Sequence, residues 1–431
     1  MRTVRQWVHE TAGGLPRQFW YVWCTTLINR VGSFVIVVLA IYLTGERGLS
    51  EAFAGLVLGL WGAGGAVGTM AGGVLADRWG RKPTVVTFLL SGAAMMVVLG
   101  LMRAPAAIAI SALLLGATIE GVRPAISALL VDLVPEKDRP RAFSLNYWVL
   151  NVAFAFAATA GGFLASIDIG LLFFLDAATT TAAAIFFVLK VAEPVRERAA
   201  PPSTRTAPEG LAADGLRTVL RDRVFLGFIG LNVLVALVFL QHISTLPMSM
   251  TRDGLSPSTF GSVIALNGLL IVVGQLFLIR LLRDADHTLM LAIGYAIMGI
   301  GFGITIFAGT SWFYAITVLV WTLGEMLQAP SSATTMAALS PVHLRGRYQG
   351  LLSFSWSIAA FMAPLLGGAV LQYGGKAALW LGCLVICLVA AALTVASRAG
   401  RERRAAELAD AAMPAQPPVA KAGPTTAQAL V

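Results

Sequence analysis

Long apolar stretches recur along most of this chain, and they limit its fold more than any other feature of the sequence. An apolar helix of about 20 residues crosses a bilayer, because lipid offers the backbone no hydrogen-bond partner outside the helix itself. Twelve such stretches are predicted, at approximately 19–44, 53–75, 84–102, 106–134, 142–166, 170–190, 223–249, 258–282, 288–309, 312–340, 347–373 and 377–397. We therefore expect an all-α integral membrane protein with twelve transmembrane helices.

Composition and the distribution of charge support this expectation. Of the 431 residues, 57% are hydrophobic and only 12% are charged, whereas soluble domains are about half apolar and about one quarter charged. With the N-terminus in the cytoplasm, the inward segments hold most of the lysines and arginines, and the outward loops hold only Arg47, Arg103, Arg252 and Lys376. This bias places both termini in the cytoplasm of a cell that carries the protein in its inner or plasma membrane. We attribute the net charge of +9 to this orientation in the membrane. The lipid bilayer is therefore a predicted partner of the protein, and nucleic acid is not.

The sequence divides into two similar halves. A shift of 206 residues places Pro124 on Pro330 and Arg139 on Arg345, so the halves are expected to be pseudo-symmetric six-helix bundles. A weaker echo of one loop, LLRDADH at 281–287, falls between the eighth and ninth stretches. The predicted domains are a cytoplasmic N-terminal segment (1–18), a first bundle (19–190), a cytoplasmic linker (191–222), a second bundle (223–397) and a cytoplasmic tail (398–431). The tail is expected to begin as a short basic helix and to end in disorder.

Ionisable side chains inside the apolar stretches are candidates for function, because each costs about 2.5–3.5 kcal/mol on insertion scales. Arg30 lies near the middle of the first stretch, Glu120 and Arg123 lie one turn apart in the fourth, and Glu325 lies at matching depth in the tenth. Glu120 beside Arg30 or Arg123 would stay ionised, whereas an unpaired Glu325 would bind a proton reversibly. These four residues are the predicted proton-coupling group. Structural ion pairs between helices are the alternative, especially for the pair in the fourth stretch.

Other polar and aromatic residues are predicted to bind substrate together with members of that group. The full predicted set is Asn29, Arg30, Glu120, Tyr147, Gln241, Trp321, Glu325, Gln328 and Trp356. The aromatic members could form an adaptable apolar surface for amphipathic ligands of varied shape. Aromatic residues of membrane helices also commonly face lipid or the protein core, which is the alternative. Asp176, near the outer end of the sixth stretch, is expected to accept a hydrogen bond from a neighbouring helix, with a place on a proton path as the alternative. His242 is expected to be a hydrogen-bonded interface residue rather than a coupling group.

Motifs of soluble enzymes are missing from the sequence. It contains no HExxH, no GxSxG and no Walker loop ending in GK[ST], so we predict neither an enzyme nor a metal or cofactor site. Glycine is abundant, but Gly55, Gly59, Gly64, Gly68 and Gly72 recur every four or five residues, which is typical of a face that packs closely against another helix.

One polar stretch, Gly73-Val-Leu-Ala-Asp77-Arg78-Trp-Gly80-Arg81-Lys82-Pro83, interrupts the apolar sequence between the second and third predicted helices. Its pattern, Gly-x-x-x-Asp-Arg-x-Gly-Arg-Lys, resembles the signature loop of the major facilitator superfamily of secondary transporters. The resemblance implies two parallel six-helix halves, with a cavity between them lined by helices one, four, seven and ten. Such transporters work by alternating access.

The same resemblance implies a mechanical role for the loop. Asp77 would stabilise the start of helix eleven, where the helix dipole favours negative charge, and Arg81 would bridge Asp77 to Asp132. The expected conformational latch consists of Gly73, Asp77, Arg78, Gly80, Arg81 and Asp132. It would hold the halves together on the inside in the outward-open state.

Within the superfamily, the chain is most similar to the twelve-helix drug–proton antiporter branch, although Ala157 and Ala158 stand where those exporters carry Gly-Pro before Gly161 and Gly162. The segments NRVGSFVIVVLAIYLT and GEMLQAPSSATTMAALSP also resemble proton-coupled peptide transporters, but Thr26 and Asn29 replace their acidic residues. We therefore predict a monomeric antiporter that exports amphipathic small molecules, drugs or metabolites, and needs no cofactor because a proton gradient drives it. A proton-coupled uptake symporter for peptides or sugars is the alternative, followed by a non-transporting scaffold or receptor.

Overall fold

The structure, a computed structural model, describes residues 13–193, 217–281, 285–341 and 344–412, with the side chains of 275–281 and 410–412 left undescribed. Throughout these ranges the regular structure is helical, as predicted. The N-terminal segment up to 12, most of the linker (194–216), part of the LLRDADH echo (282–284) and the tail beyond 412 lie outside the described residues.

Twelve helical spans follow one another along the described chain. The first six are span 1 (Arg17–Val31 and Phe34–Ile41, then a π-helical turn at Tyr42–Glu46), span 2 (Glu51–Arg78), span 3 (Arg81–Leu101), span 4 (Pro105–Leu133), span 5 (Arg139–Ala165) and span 6 (Leu171–Lys190). The others are span 7 (Arg223–Phe239 and Gln241–Arg252), span 8 (Pro257–Leu281), span 9 (His287–Gly303, then a 3₁₀ turn at Ile304–Phe307), span 10 (Ser311–Ala338), span 11 (Arg345–Tyr373) and span 12 (Gly375–Ala396). Eleven of these described spans are long and apolar enough to cross a membrane. Span 10 is long enough but less apolar than the others, because it carries Glu325, Gln328 and several serines and threonines.

Spans 1 and 7 are broken, whereas the sequence predicts continuous helices there. Span 1 is interrupted at Gly32 and Ser33. A Cβ on Gly32 would lie 1.8 Å from the Thr179 hydroxyl oxygen, so the break lets span 1 pack directly on span 6. Span 7 is interrupted at Leu240, which the 206-residue shift aligns with Phe34. The breaks therefore follow the internal repeat of the chain.

The two halves meet closely at one side of the membrane. We call this side, which carries Glu51, the outer side, and the opposite side, which carries Arg17, the inner side. In span 2, a Cβ on Gly55 or Gly59 would lie 2.2 or 2.7 Å from a backbone oxygen of span 11. The span 5–span 8 contact is similar, because a Cβ on Gly261 would lie 2.2 Å from the Ala158 carbonyl oxygen. Backbone contact of this kind requires glycine, as the glycine spacing predicts. The other glycines of the predicted face, Gly64, Gly68 and Gly72, approach backbone oxygens of span 4 instead, so span 2 has two close-packing faces rather than one.

Toward the inner side, the same helix faces separate. On span 2, Met70 is 75% exposed, and the space where Gly73 would carry a Cβ holds none of the described atoms within 4 Å. On span 5, Trp148 is 46% exposed. The central space between the halves is therefore open at the inner side and closed at the outer side.

A helix at Arg398–Ala412 follows span 12, which agrees with the short basic helix predicted at the start of the tail. Its Arg404 Nη2 lies 3.2 Å from Asp222 Oδ2, and the same carboxylate oxygen accepts a hydrogen bond from the Tyr348 hydroxyl at 3.0 Å. Asp222 also caps span 7 by accepting from the Phe225 amide. The tail helix thus ties the inner ends of spans 7 and 11 together.

Candidate transport site and gates

Glu325 lies near the middle of span 10 and is held by one amide. Its Oε2 accepts a hydrogen bond of 2.8 Å from the Asn267 side chain of span 8. Asn267 also donates to the Thr322 hydroxyl at 3.1 Å, which fixes its orientation. Across the interface, Tyr147 of span 5 is close enough to Glu325 to interact with it electrostatically and is 47% exposed. Glu325 therefore lies where spans 5, 8 and 10 meet, beside the central space.

Charge compensation differs between the two predicted carboxylates. Within the described residues, Glu325 forms no ion pair, whereas Glu120 Oε2 lies 2.8 Å from Arg123 Nη1 on the same helix. A Cβ on Gly65 would lie 2.9 Å from Glu120 Cγ, so span 2 packs against the base of this pair. The ion pairing of these described residues is the one that the sequence predicts, whereas the difference in proton binding between Glu325 and Glu120 stays a prediction.

Arg30 lies at the end of the first helix of span 1, beside the break. It interacts electrostatically with Glu120, Arg123 and Asp176, yet its guanidinium forms no hydrogen bond or ion pair with any residue the structure describes. The neighbouring Asn29 donates to the Thr180 hydroxyl of span 6 at 3.1 Å. Both residues line a cleft between spans 1, 4 and 5 that also contains Arg123 and Asn146. The N-terminal half therefore presents guanidinium groups and amides where the C-terminal half presents a carboxylate.

Three residues of the predicted substrate-binding set lie inside the C-terminal bundle instead. Trp321 is fully buried and stacks on Phe302 of span 9, and Gln328 packs against Gly294 of the same span. Gln241 is buried at the break in span 7, where it donates to the Ala363 carbonyl of span 11 at 2.9 Å and accepts from the Thr245 hydroxyl at 2.8 Å. The polar groups of Gln241 are occupied by structural bonds.

The remaining aromatic members of the set are more accessible. Trp356 of span 11 is 37% exposed and makes an edge contact with Phe239 of span 7, with ring centroids 6.1 Å apart. His242 is buried against Phe239 and Trp321, with its Nδ1 2.6 Å from the Phe239 carbonyl oxygen, in keeping with the hydrogen-bonded interface role expected for it. Tyr147 and Trp356 are thus the aromatic members that remain available to a ligand.

The signature loop forms the ion pairs that the resemblance implies. Arg81 Nε lies 2.9 Å from Asp132 Oδ2, and Arg81 Nη1 lies 3.7 Å from Asp77 Oδ1. These three residues belong to spans 2, 3 and 4 of one half, and Arg78 beside them is exposed. The pairs are present while the inner side is open, so their expected part in holding the two halves together stays a prediction.

Glu193, which follows span 6, is a partner of the loop that the sequence does not reveal. Its carboxylate accepts hydrogen bonds from the backbone amides of Arg81 and Lys82 at 3.0 and 2.9 Å, and so caps span 3. Gly80 has a φ of 111°, and a Cβ there would lie 2.7 Å from Glu193 Oε1. The backbone conformation requires glycine at position 80, and the Glu193 carboxylate would have to shift to admit a Cβ there.

An ion pair bridges the halves at the outer side. Arg252, at the end of span 7, donates a hydrogen bond of 2.5 Å from Nη2 to Glu51 Oε2, and its Nε forms an ion-pair contact with Glu51 Oε1. Arg252 also donates to the Leu371 carbonyl at 3.1 Å, and the Ala52 amide donates to the Gln372 side chain at 2.9 Å. We call this group, at the ends of spans 2, 7 and 11, the outer gate.

Sequence reasoning missed Asn267 and the outer gate. An asparagine inside an apolar run, as in ALNGLLIV, is a signal that could have indicated Asn267. The residues of the outer gate lie at the ends of spans. Charged residues are expected there in any membrane protein, so the sequence does not indicate which of them form ion pairs. Within the described ranges, no group of three or more His, Cys, Asp or Glu side chains could hold a metal ion.

Two six-helix halves, broken spans 1 and 7, and a central space open to one side define a multi-pass membrane transporter. The chain belongs to the Major Facilitator Superfamily, whose family model matches residues 22–284 and 242–427. Its substrate is therefore a small molecule.

Three curated relatives resemble most of the chain. It is 27% identical over 385 residues to the uncharacterized MFS-type transporter YttB of Bacillus subtilis (strain 168), covering 88% of this chain and 95% of that protein. It is 24% identical to a Na(+), Li(+), K(+)/H(+) antiporter of Planococcus maritimus, covering 76% and 83%. It is also 24% identical to the multidrug resistance protein MdtH of Shigella flexneri, covering 80% and 85%.

The fold is also that of solved transporters. The peptide transporter POT in complex with sulfate matches with a TM-score of 0.73 at 17% identity, covering 94% of this chain and 99% of that chain. A mutant of the nucleoside transporter NupG matches with a TM-score of 0.75 at 13% identity, covering 88% and 100%. At these identities, the similarity concerns the fold and not the substrate.

Proposed function

We propose that this protein is a proton-driven antiporter that exports amphipathic small molecules across the cell membrane by alternating access. The inner side, which carries the signature loop, faces the cytoplasm, and both termini lie there. The single observation that carries the proposal is the environment of Glu325: it lies beside the central space, is held by the Asn267 amide at 2.8 Å and has no cation partner among the described residues.

Glu325 is suited to exchange a proton for a substrate. The Asn267 amide suits either protonation state, because its N–H group can donate to a carboxylate oxygen and equally to the carbonyl oxygen of a carboxylic acid. Protonation from the outside would remove the negative charge that a cationic substrate needs, and release of the proton to the cytoplasm would restore it. Competition for one carboxylate thus couples the two fluxes without direct contact between proton and substrate.

Arg30, Glu120 and Arg123 of the N-terminal half supply fixed charge rather than exchange. Glu120 is neutralised by Arg123 at 2.8 Å, and Arg30 adds a positive charge in the adjoining cleft of the N-terminal half. These cations disfavour the simultaneous binding of a proton and a cationic substrate at Glu325. We assign Arg30 and the Glu120–Arg123 pair to this electrostatic bias.

Two further observations support the substrate class and the coupling mode. Tyr147 and Trp356 are partly exposed aromatic side chains, which suit apolar ligands of varied shape. Among the relatives, one is described as a multidrug resistance protein and another as a cation/proton antiporter. The first description agrees with drugs as substrates, and the second agrees with exchange of protons for other solutes.

Inside-out vesicles that carry the protein test the proposal. We expect them to accumulate a lipophilic cation such as ethidium while a proton gradient is imposed, and to stop when an ionophore collapses it. Vesicles with Glu325→Gln are the matched control and should not accumulate the dye. Failure of the wild-type protein to move any dye, together with uptake of di- or tripeptides or sugars into right-side-out vesicles, would overturn the export direction.

A further inference from the structure

Asp176 of span 6 is a buried carboxylate that the proposed exchange at Glu325 does not use. It is 1% exposed, and its Oδ2 accepts a hydrogen bond of 3.1 Å from the backbone amide of Val35. Val35 belongs to the first turn of Phe34–Ile41, which we call the outer half-helix of span 1. Asp176 therefore caps this half-helix, where free amides and the helix dipole favour a negative charge.

The surroundings of Asp176 contain one charged group. Arg30, at the end of the other half of span 1, interacts with it electrostatically, and no other charged residue in the described ranges does so. Within span 6, the Thr180 hydroxyl lies 3.5 Å from Asp176 Oδ1. From spans 2, 3 and 4, the adjoining cavity is lined by apolar and aromatic side chains such as Trp61, Phe88 and Ile119. Burial disfavours a charge on Asp176, and the half-helix amides and Arg30 are the groups that oppose this effect.

The outer half-helix belongs to the closed outer side of the protein. It packs across the interface against Gln241–Arg252 of span 7. The turn that follows it brings Gly45 close to Thr251, since a Cβ on Gly45 would lie 3.8 Å from Thr251 Cγ2. The next residue of span 7 is Arg252, the partner of Glu51 in the outer gate. A displacement of the outer half-helix would therefore reach the outer gate directly.

We propose that Asp176 is a second proton-binding site, located in the N-terminal half, whose occupancy is linked to opening of the outer gate. In the present state, the amide of Val35 and the charge of Arg30 stabilise the carboxylate. When the outer half-helix moves away with the opening gate, the carboxylate loses the amide and binds a proton from the outside. Return of the half-helix restores the amide, which favours release of the proton, so the balance is one proton bound and one released. The inference rests on the proposed function only in taking the proton as the coupling ion.

Gate opening can be measured on the full-length protein in nanodiscs without any substrate. Spin labels at Ala104→Cys and Thr310→Cys, which are exposed at the outer side of the two halves, report the separation of the halves by electron paramagnetic resonance. Cys24 is replaced by Ala to prevent labelling there, and Cys383 and Cys387 are buried. We expect acidification to raise the population with a wide outer separation about fivefold or more, the lower end of typical coupling between sites.

Asp176→Asn retains an oxygen acceptor for the Val35 amide but cannot ionise. It is expected to show the wide separation at every pH, and the matched control Asp168→Asn, an exposed residue that caps the start of the same span, is expected to respond like the wild type. An Asp176→Asn protein that keeps the wild-type pH response, or stays closed at every pH, would overturn the proposal. So would a wild-type response to Na⁺ at constant pH, which would make the ligand a metal cation.

Two further variants keep the test decisive. Glu325→Gln should retain the pH response of the outer gate, so failure of proton exchange at Glu325 and failure of the Asp176 site are distinguishable. Loss of the response in Glu325→Gln would assign it to Glu325 and overturn the inference. If Asp176→Asn does not fold, Arg30→Gln replaces it: removal of the facing cation should move the midpoint of the response to higher pH, and an unchanged midpoint would contradict the proposal.

Discussion

Arg252 and Glu51 lie on opposite halves of the protein and form a hydrogen-bonded ion pair, with Arg252 Nη2 2.5 Å from Glu51 Oε2. The Glu51 side chain is 12% exposed and that of Arg252 is 41% exposed. This pair joins two spans that must separate when the outer side opens. It therefore contributes to the stability of the state with an open inner side, and to that state alone.

Replacement of Glu51 by Gln should shift the population toward an open outer side. Partly exposed pairs contribute about 0.2–1 kcal/mol, and a loss of about 1 kcal/mol changes a population ratio about fivefold. Distance measurements between outer loops detect such a shift. Lys376→Gln is the control, since its partner Asp253 lies in the same half; an equal shift in that variant would show that the effect is not specific to the interface.

Gly59 and Gly73 lie on one face of span 2 and should respond in opposite directions to alanine. A Cβ on Gly59 would lie 2.7 Å from the Phe361 carbonyl oxygen, whereas the corresponding space at Gly73 holds none of the described atoms within 4 Å. Gly59→Ala should disfavour the present state by about 1–3 kcal/mol, as overpacking does. Gly73→Ala should leave this state intact and disfavour closure of the inner side.

Accessibility of single cysteines to a membrane-impermeant thiol reagent measures both effects. Gly59→Ala should increase labelling from the outer side, and Gly73→Ala should decrease it. A decrease in both variants would mean that these glycines serve helix stability rather than alternation between two contacts.

Gly80→Ala should destabilise the signature loop. Its φ of 111° and ψ of 162° are adopted by glycine almost alone, so a residue with a Cβ there would cost about 1–3 kcal/mol, and the Glu193 carboxylate would have to shift to admit the added atom. Thermal unfolding in detergent should show a lower midpoint. Gly346→Ala, at the start of span 11 with open space around it, should leave the midpoint unchanged, and a similar loss there would argue against a local cause.

Glu325→Gln should abolish uphill transport and leave folding and substrate binding largely intact. The glutamine side chain can still meet the Asn267 amide but cannot exchange a proton. Binding of a fluorescent lipophilic cation and its accumulation in vesicles separate the two properties. Uphill transport that survives in the variant would remove Glu325 from the mechanism.

Asp77→Asn tests the latch prediction for the signature loop. Arg81 remains paired with Asp132 at 2.9 Å, so the loop should keep its structure while the acidic group expected to meet span 11 is lost. We expect turnover to fall more than substrate affinity. A change in affinity alone would contradict a role in conformational exchange.

The sequence predicts the architecture well because each span carries its own signal. The length of each apolar stretch predicts a span, and the glycine spacing predicts the close packing of span 2. Glu325 is recognised as a candidate because a charged residue inside lipid is costly. Side-chain direction is less accessible, because a helix turns about 100° per residue and small differences in rotation decide what a side chain meets. Trp321 and Gln328 therefore lie against span 9, although they belong to the same helix as Glu325.

The breaks in spans 1 and 7 could not be predicted from the sequence for a different reason. Gly32 and Ser33 are common within membrane helices, and only the contact of Gly32 with Thr179 and the cap by Asp176 make a break favourable there. Glu193 likewise becomes a cap only because span 6 ends beside the start of span 3. Such tertiary partners have no local signature.

Proton movement in proteoliposomes tests the central claim most directly. A pH-sensitive dye is enclosed, an outward-directed gradient of a lipophilic cation is imposed, and the internal pH is followed. The account predicts that efflux of the cation through the wild-type protein acidifies the interior, and that Glu325→Gln abolishes the pH change. Cation efflux through the wild-type protein without a pH change, or an equal pH change in Glu325→Gln, would contradict it.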